Sequence, residues 1–388
     1  MPNLASGTDT GLPIGGDHGC ATVPRRASTP GSGVARPGAL PDVAGAAGPL
    51  DPRACPDWDS TVLANPDARV FHTRAWVSVL AETYGYRPVY LTRRGSGGTF
   101  AALPLMEVRS RLTGCRGVSL PFTDECASLA ASEDERGQLF SDAVALGRAR
   151  RWKYLECRGG LGHTPGARPS TRFWGHRLRL DRDEDRLLKR CQPSVRRALS
   201  KARKSGVTVE VASSLAGARA YYGLHCLTRQ RHGLPPQPFN FFSNIYRLVI
   251  EPGSGTILLA RWQDKLVAGA VFLNGGQTAI YKFGASDDRY QAVRANNLVM
   301  WEGIVSHARR GFASLEFGRT SLGHEGLREY KLGWGTEEYD VTYFRYHFTQ
   351  NAFVEVADQA SGWHNRVFRR LPVTVSRWIG KALYGHLG

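Results

Sequence analysis

The 388-residue chain predicts a mixed α/β (α+β) protein built as two successive units, each a mostly antiparallel sheet flanked by helices. Three observations lead there. The length exceeds the usual span of one hydrophobic core, and 42% of the residues are hydrophobic, enough to fill two interiors. Residues 207–348 alternate period-two and helical runs in the order β, α, α, β, β, β, α, β, α, β. Residues 58–180 echo that order in part.

Residues 1–50 contain ten Gly and seven Pro and few large apolar side chains, too little to offset the entropy of ordering, so disorder is expected. Order begins near Trp58. TRAWVSVLAETYG reads as a helix stopped at Gly85, followed by the β-type runs RPVYLTRR and TFAALPLMEVRS around a GSGG turn. A helix over 133–149, the strand WKYLECR, a Gly/Pro linker over 159–170 and the strand FWGHRLRL complete a first unit, 55–180. The second unit, 181–348, opens on a basic helix after Pro193 and the strand VTVEVA. Helices over 215–231 and 240–250 follow, then the meander TILLARW, KLVAGAVFL and TAIYKFGA. NNLVMWEGIVSHARRG is a helix ended by Gly311, ASLEFG a strand, EGLREYKL a short helix and EEYDVTYFRYHF a long alternating strand. Residues 349–388 form a basic amphipathic tail.

Fifty-one Lys and Arg against 34 Asp and Glu leave a formal charge of +17, which favours an anionic partner such as nucleic acid, a phosphorylated metabolite or lipid headgroups. The seven cysteines are scattered without a CxxC pair, which argues against a disulfide framework or a zinc site and fits a reducing cytosol. No signal-peptide run and no stretch of 18 apolar residues occurs, so a cytoplasmic protein is expected.

Between Arg186 and Lys204 lie eight Lys or Arg and no acid. On the helix after Pro193, Val195, Leu199 and Ala202 form the apolar stripe, while Arg196, Arg197, Lys201 and Lys204 present cations. That face either meets phosphates or is merely solvated. Lys282, in a central strand between Tyr281 and Phe283, must reach solvent or an anion. In EFGRTSLGHEGLREYKLGWG, residues 316–335, helical spacing puts Lys331 on one face with Leu327, Tyr330 and Trp334. Such a lysine either snorkels past its neighbours or enters a cleft, where an ammonium stabilises an oxyanion. Glu316 and Arg319 flank the end of the strand ASLEFG, where open sheets gather ligand groups; an ion pair is the plainer reading of Glu316. His225, His232 and His324 read as structural, and 229–242 as a Pro-stiffened rim or an ordinary loop. In the tail, Val375, Trp378, Ile379 and Ala382 are helically spaced beside Arg377 and Lys381, as in a helix that lies on an anionic membrane or docks on its own core.

SVRRALSKARKSG, the NNLVMWEGI helix and FGRTSLGHEGLREYKLGWG together resemble the FemAB-like branch of the GNAT acyltransferase superfamily, over residues 58–348 and most strongly after 190. That branch includes peptidoglycan-bridge aminoacyltransferases and acyltransferase-like proteins encoded with exopolysaccharide genes. The resemblance implies a tandem GNAT pair, the first unit degenerate, that moves an acyl or aminoacyl group onto a phosphorylated or lipid-linked sugar precursor. It implies no bound cofactor and a co-substrate that is acyl-CoA or aminoacyl-tRNA. It gives Lys331 the catalytic role, and the substrate and phosphate contacts to Arg196, Arg197, Lys201, Lys204, Tyr281, Lys282, Arg294, Asn297, Glu316, Arg319, Tyr330 and Trp334. The chain departs from the CoA-using pattern in one place: the Gly-rich phosphate loop before the central helix reads SDDRYQAVRANN, with no glycine between Gly284 and Gly303. The alternative function is a noncatalytic module of the same fold that binds nucleic acid or a membrane surface, for which the lack of an evident general base speaks.

Overall fold

The computed structural model describes residues 48–94, 100–161, 164, 166–356 and 363–387, with the side chains of 363–365 excepted. The disorder expected of residues 1–50, apart from 48–50, and the GSGG turn lie outside the described residues.

Along the chain run α1 (Trp58–Leu63), α2 (Arg74–Tyr84), β1 (Arg87–Pro88), β2 (Leu91–Arg94), β3 (Phe100–Leu103), β4 (Met106–Ser110) and β5 (Gly114–Val118). Next come α3 (Glu133–Ala149), β6 (Tyr154–Arg158), β7 (Thr171–Arg179), α4 (Glu184–Arg190), α5 (Pro193–Lys204), β8 (Thr208–Val211), α6 (Leu215–Arg231) and α7 (Phe239–Ile245). The chain continues as β9 (Gly255–Trp262), β10 (Lys265–Gly275), β11 (Thr278–Ser286), α8 (Ala295–Arg309), β12 (Ser314–Ser321), α9 (Glu325–Leu332) and β13 (Glu337–His347). It ends in β14 (Ala352–Phe353), α10 (Trp363–Arg370) and α11 (Val373–Leu383).

Among the described residues, twelve strands form one mixed sheet in the order β1-β4-β5-β6-β13-β7-β12-β11-β10-β9-β8, with β14 on β13; β2 and β3 make a separate hairpin. Only β5 with β6 and β11 with β12 pair in parallel. Each parallel pair is joined through a long helix, α3 in the first case and α8 in the second, as parallel strands require. The chain then does something the linear order hides. β7 follows β6 yet pairs with β12, whereas β13 follows β12 yet pairs with β6, and the two exchanged strands pair with each other. Each half of the sheet is completed by the other half's last strand.

Helices pack on both faces. On α5, Val195, Leu199 and Ala202 are buried against the α8 side, while Arg196, Arg197, Lys201 and Lys204 stay exposed. α8 approaches β10 so closely that a Cβ at Gly303 would sit 2.1 Å from the Phe272 ring. α2, α6 and α7 cover the opposite face with an aromatic cluster that includes Trp76, Tyr221, Phe241 and Phe242. The helix expected over 240–250 ends at Ile245; a wider π-type turn, Tyr246–Ser254, follows, and Pro252 and Gly253 (φ 97) break it.

Candidate functional site

The site is opened by two irregularities in neighbouring strands. β11 and β12 pair at only three positions, Thr278 with Ser314, Ala279 with Leu315 and Ile280 with Glu316. Beyond them β12 carries a bulge between Glu316 and Arg319, with Gly318 at φ 69. β11 has its own register shift, which leaves Lys282 without a partner residue on β10. The two strands part, and a loop from the first half fills the gap. Its Asp124 accepts a hydrogen bond from Lys282 Nζ, with Oδ2 3.2 Å away, and a Cβ at Gly318 would come within 3.0 Å of the same oxygen. Gly318 thus serves both a left-handed backbone and a close approach.

α9 presents Lys331 to that bulge. His324 caps the helix, its Nδ1 accepting from Leu327 N at 3.2 Å. About two turns on, Lys331 Nζ donates to the Gly318 and Arg319 carbonyls at 2.8 and 3.0 Å. The residue is only 4% exposed. Burial pulls the ammonium down to about 8, partly opposed by Asp124 and helped by Arg319. Burial likewise lowers Lys282, against the attraction of Asp124. Burial works to raise the Asp124 carboxyl, but Lys282, Arg319 and Lys331 hold it below its usual range. Next to it Glu125 is pushed up to about 7 by burial and by the charge of Glu316.

Beside the parted strands lies a cleft of about 750 Å³. Arg197 and Lys201 of α5, Arg231 at the end of α6 and Arg294 at the start of α8 line it, with Tyr281, Asn297, Glu329 and Tyr330. Asp287, also in the lining, is already bound to Arg289. α8 begins without a side-chain cap, and Arg294 enters it at φ 58, a left-handed conformation that costs a non-glycine residue about 1–2 kcal/mol. Uncapped amide groups at the start of α8 and four cations in the lining give the cleft a positive character.

The residues singled out in the sequence divide among several surroundings. Arg197, Lys201, Tyr281, Arg294, Asn297 and Tyr330 meet in the cleft. Lys282 has found its anion in Asp124, and Lys331 holds the bulge. Glu316 is a buried ion-pair acceptor, 3.1 Å from Arg69 and 3.0 Å from Arg177. Arg319 lies over Phe173 and Tyr343, outside the cleft. Trp334 is fully buried in the α5–α8 core, and Arg196 and Lys204 are exposed away from the cleft lining. His225 is a buried structural residue bonded to Gln237, whereas His232 lines the cleft. Asp124, Glu125, Arg69 and Arg231 were missed. Asp124 is 158 positions from Lys282, and nothing in the run FTDEC marks it as belonging to the second half's strands.

α11 docks on the protein, but not through its apolar stripe. Ser376, Gly380 and Tyr384 are buried, with Tyr384 Oη donating to Pro235 O at 3.1 Å and receiving from Arg229 at 2.7 Å. Val375 and Trp378 are 41% and 73% exposed, beside exposed Arg377 and Lys381.

Among known proteins, residues 189–340 match the acetyltransferase (GNAT) domain family. No curated protein matches the chain. Of solved structures, FemX superposes with a TM-score of 0.61 at 15% identity, covering 76% of this chain and 96% of FemX. A tandem GNAT protein from the clavulanic acid biosynthesis pathway gives 0.47 at 14% identity, covering 78% and 94%. L-PGS from Bacillus licheniformis gives 0.45 at 11%, covering 83% and 98%. Residues 189–340, which hold the cleft and Lys331, match the GNAT acetyltransferase domain, and the chain that carries them shares its fold with FemX.

Proposed function

We propose that the chain transfers an acyl or aminoacyl group from a phosphate-bearing donor to an amine or hydroxyl of a cell-envelope or exopolysaccharide precursor. The observation that carries this reading is the cationic cleft of the GNAT domain, set against parted strands where a buried ammonium sits. Arg197, Lys201, Arg231 and Arg294 hold the donor phosphates of acyl-CoA or of the tRNA end. The acceptor's nitrogen or oxygen attacks the donor carbonyl carbon, and a tetrahedral oxyanion forms. Lys331 Nζ spends two of its three N–H groups on backbone carbonyls and has one left to donate to that oxyanion. Collapse expels the CoA thiol or the tRNA ribose hydroxyl, and the acceptor's proton leaves with it or passes to water.

The reading includes peripheral contact with an anionic membrane through α11, which would bring a lipid-linked acceptor to the protein. The outward position of Trp378, Val375, Arg377 and Lys381 supports it.

The test is donor binding followed by turnover. Acetyl-CoA and charged tRNA are each titrated into the purified chain and the melting temperature followed. One of them should raise it, and the double change Arg197→Gln with Lys201→Gln should remove the rise. With the donor so identified, Lys331→Met should abolish transfer to envelope precursors when assayed well below its own melting temperature. Full turnover by Lys331→Met removes Lys331 from the chemistry; donor or tRNA binding without transfer to any precursor favours the noncatalytic module.

A further inference from the structure

A second, smaller cavity of about 190 Å³ lies where the exchanged strands meet. Its walls come from β6 (Glu156, Arg158), β7 (Thr171, Phe173), β12 (Arg319) and β13 (Tyr343, Arg345), four strands that are neighbours only because of the exchange. It shares no lining residue with the large cleft.

Its charges do not balance. Arg158 and Arg345 both bind Glu156, whose carboxylate lies 3.0 and 2.5 Å from them and is 9% exposed. The third guanidinium, of Arg319, forms no ion pair and no side-chain hydrogen bond among the described residues. It is instead fixed by aromatic faces, 4.0 Å from the Phe173 ring centre and 4.9 Å from that of Tyr343. Tyr343 is in turn anchored through its hydroxyl, which donates to the Asp124 carbonyl at 2.5 Å. Arg345 stacks on Tyr154 at 4.3 Å, and Ser170, buried in the wall, accepts from the Arg345 amide at 2.6 Å. Three pre-oriented planar cations line the cavity with one carboxylate, and the nearby Asp124, which Arg319 also draws down, is already paired with Lys282, so the socket has room for an anion whose paired oxygens match the guanidinium forks. At ~30 Å³ per water the cavity has room for about six waters, or for one such group with its neighbouring carbons.

The place of the socket gives it a use. The carbonyl of Arg319 accepts from Lys331 Nζ at 3.0 Å, so the residue whose side chain faces the socket is the one whose backbone holds the lysine. We propose that this socket binds the anionic group of the acceptor, a phosphate or a sugar carboxylate, and so brings the acceptor's nucleophile toward Lys331 from outside the donor cleft. The word acceptor rests on the transferase reading; the anion site does not.

The experiment is calorimetric titration of the full chain with inorganic phosphate and, separately, with glucuronic acid. Wild type should show two phosphate sites. Arg319→Gln should weaken one of them at least about tenfold, the loss of a charged hydrogen-bonded contact. It should lower the melting temperature only slightly, since no ion pair is broken and only the contacts with the Phe173 and Tyr343 rings are lost. Arg345→Lys, which keeps a charge for Glu156 but loses the fork, should weaken the same site, and Arg197→Gln with Lys201→Gln only the other. Glucuronate weakened in parallel identifies a carboxylate acceptor, and phosphate alone a phosphorylated one. Unchanged binding of both anions in Arg319→Gln and Arg345→Lys overturns the proposal. Because no transfer is measured, failure of the transferase reading would leave this result standing.

Discussion

Lys331 shows how one side chain serves two ends of the argument. Helical spacing alone places it among Leu327, Tyr330 and Trp334, and the structure then divides that set: Leu327 and Tyr330 line the cleft, and Trp334 fills the core. What the spacing could not say is what the ammonium meets, because its partners are backbone carbonyls at a bulge that exists only in the folded sheet. Removing the side chain therefore costs stability as well as chemistry. Lys331→Met leaves the Gly318 and Arg319 carbonyls unpaired, at about 1–3 kcal/mol for a buried polar group. Titration separates the two roles. The ammonium is lost as pH rises through about 8, yet a neutral amine still has two N–H groups for the two carbonyls. The charged groups acting on it are Asp124, which favours the charge, and Arg319, which opposes it, while His176, lowered to about 4 by burial and by Lys331, is neutral in this range. Transfer should fall tenfold per unit of pH above about 8 while the melting temperature shows no matching loss. A rate that stays level to pH 10 would show that the charge on Lys331 is not used.

At the scale of elements, the legible parts were those whose signals are local. α5 follows from Pro193 and its apolar stripe and α8 from its stop at Gly311, while α3 and α6 open on the Ser132 and Ser214 caps. The helix α8 is in its expected place although the Gly-rich loop of the CoA-using pattern is absent before it, and Arg294 enters it at φ 58. The tail was legible as a helix but not in its orientation. Hydrophobicity would have turned Val375 and Trp378 inward, yet close packing chose the small face, Ser376 and Gly380, which lets the helix lie against the loop carrying Pro235 and Pro236. An apolar stripe left outward between cations has the pattern of an interfacial helix. The chain should therefore sediment with phosphatidylglycerol vesicles and not with phosphatidylcholine vesicles. At ~1 kcal/mol per cation, Arg377→Gln with Lys381→Gln should weaken that binding about tenfold or more. Equal binding to both lipids, or no effect of the double change, would dismiss the membrane contact.

For the whole molecule, the exchange of β7 and β13 was the feature that no local pattern carries. Each strand was visible as an alternating run, but partner choice depends on where β12 and β6 end up in three dimensions, and the sequence records only their order. Division at residue 180 looks natural on the page and cuts through the sheet, since β7 (Thr171–Arg179) lies between β12 and β13 of the second half. A fragment 181–348 would expose the edge of β12 that β7 covers through six paired positions, and would leave β13 without both neighbours. A fragment 55–180 would lack the strand that pairs with β6 at five positions and the Tyr343 hydroxyl that holds the Asp124 loop. Unpaired edges of this length, flanked by apolar residues such as Phe173 and Val341, favour aggregation. Neither fragment should therefore give a cooperative thermal transition by circular dichroism when produced alone. Produced together, they should co-purify as a one-to-one complex that regains the transition, because every exchanged pairing can form between chains. A monomeric 181–348 fragment that melts cooperatively by itself would show that the exchange is dispensable, and that the second half folds as an autonomous domain.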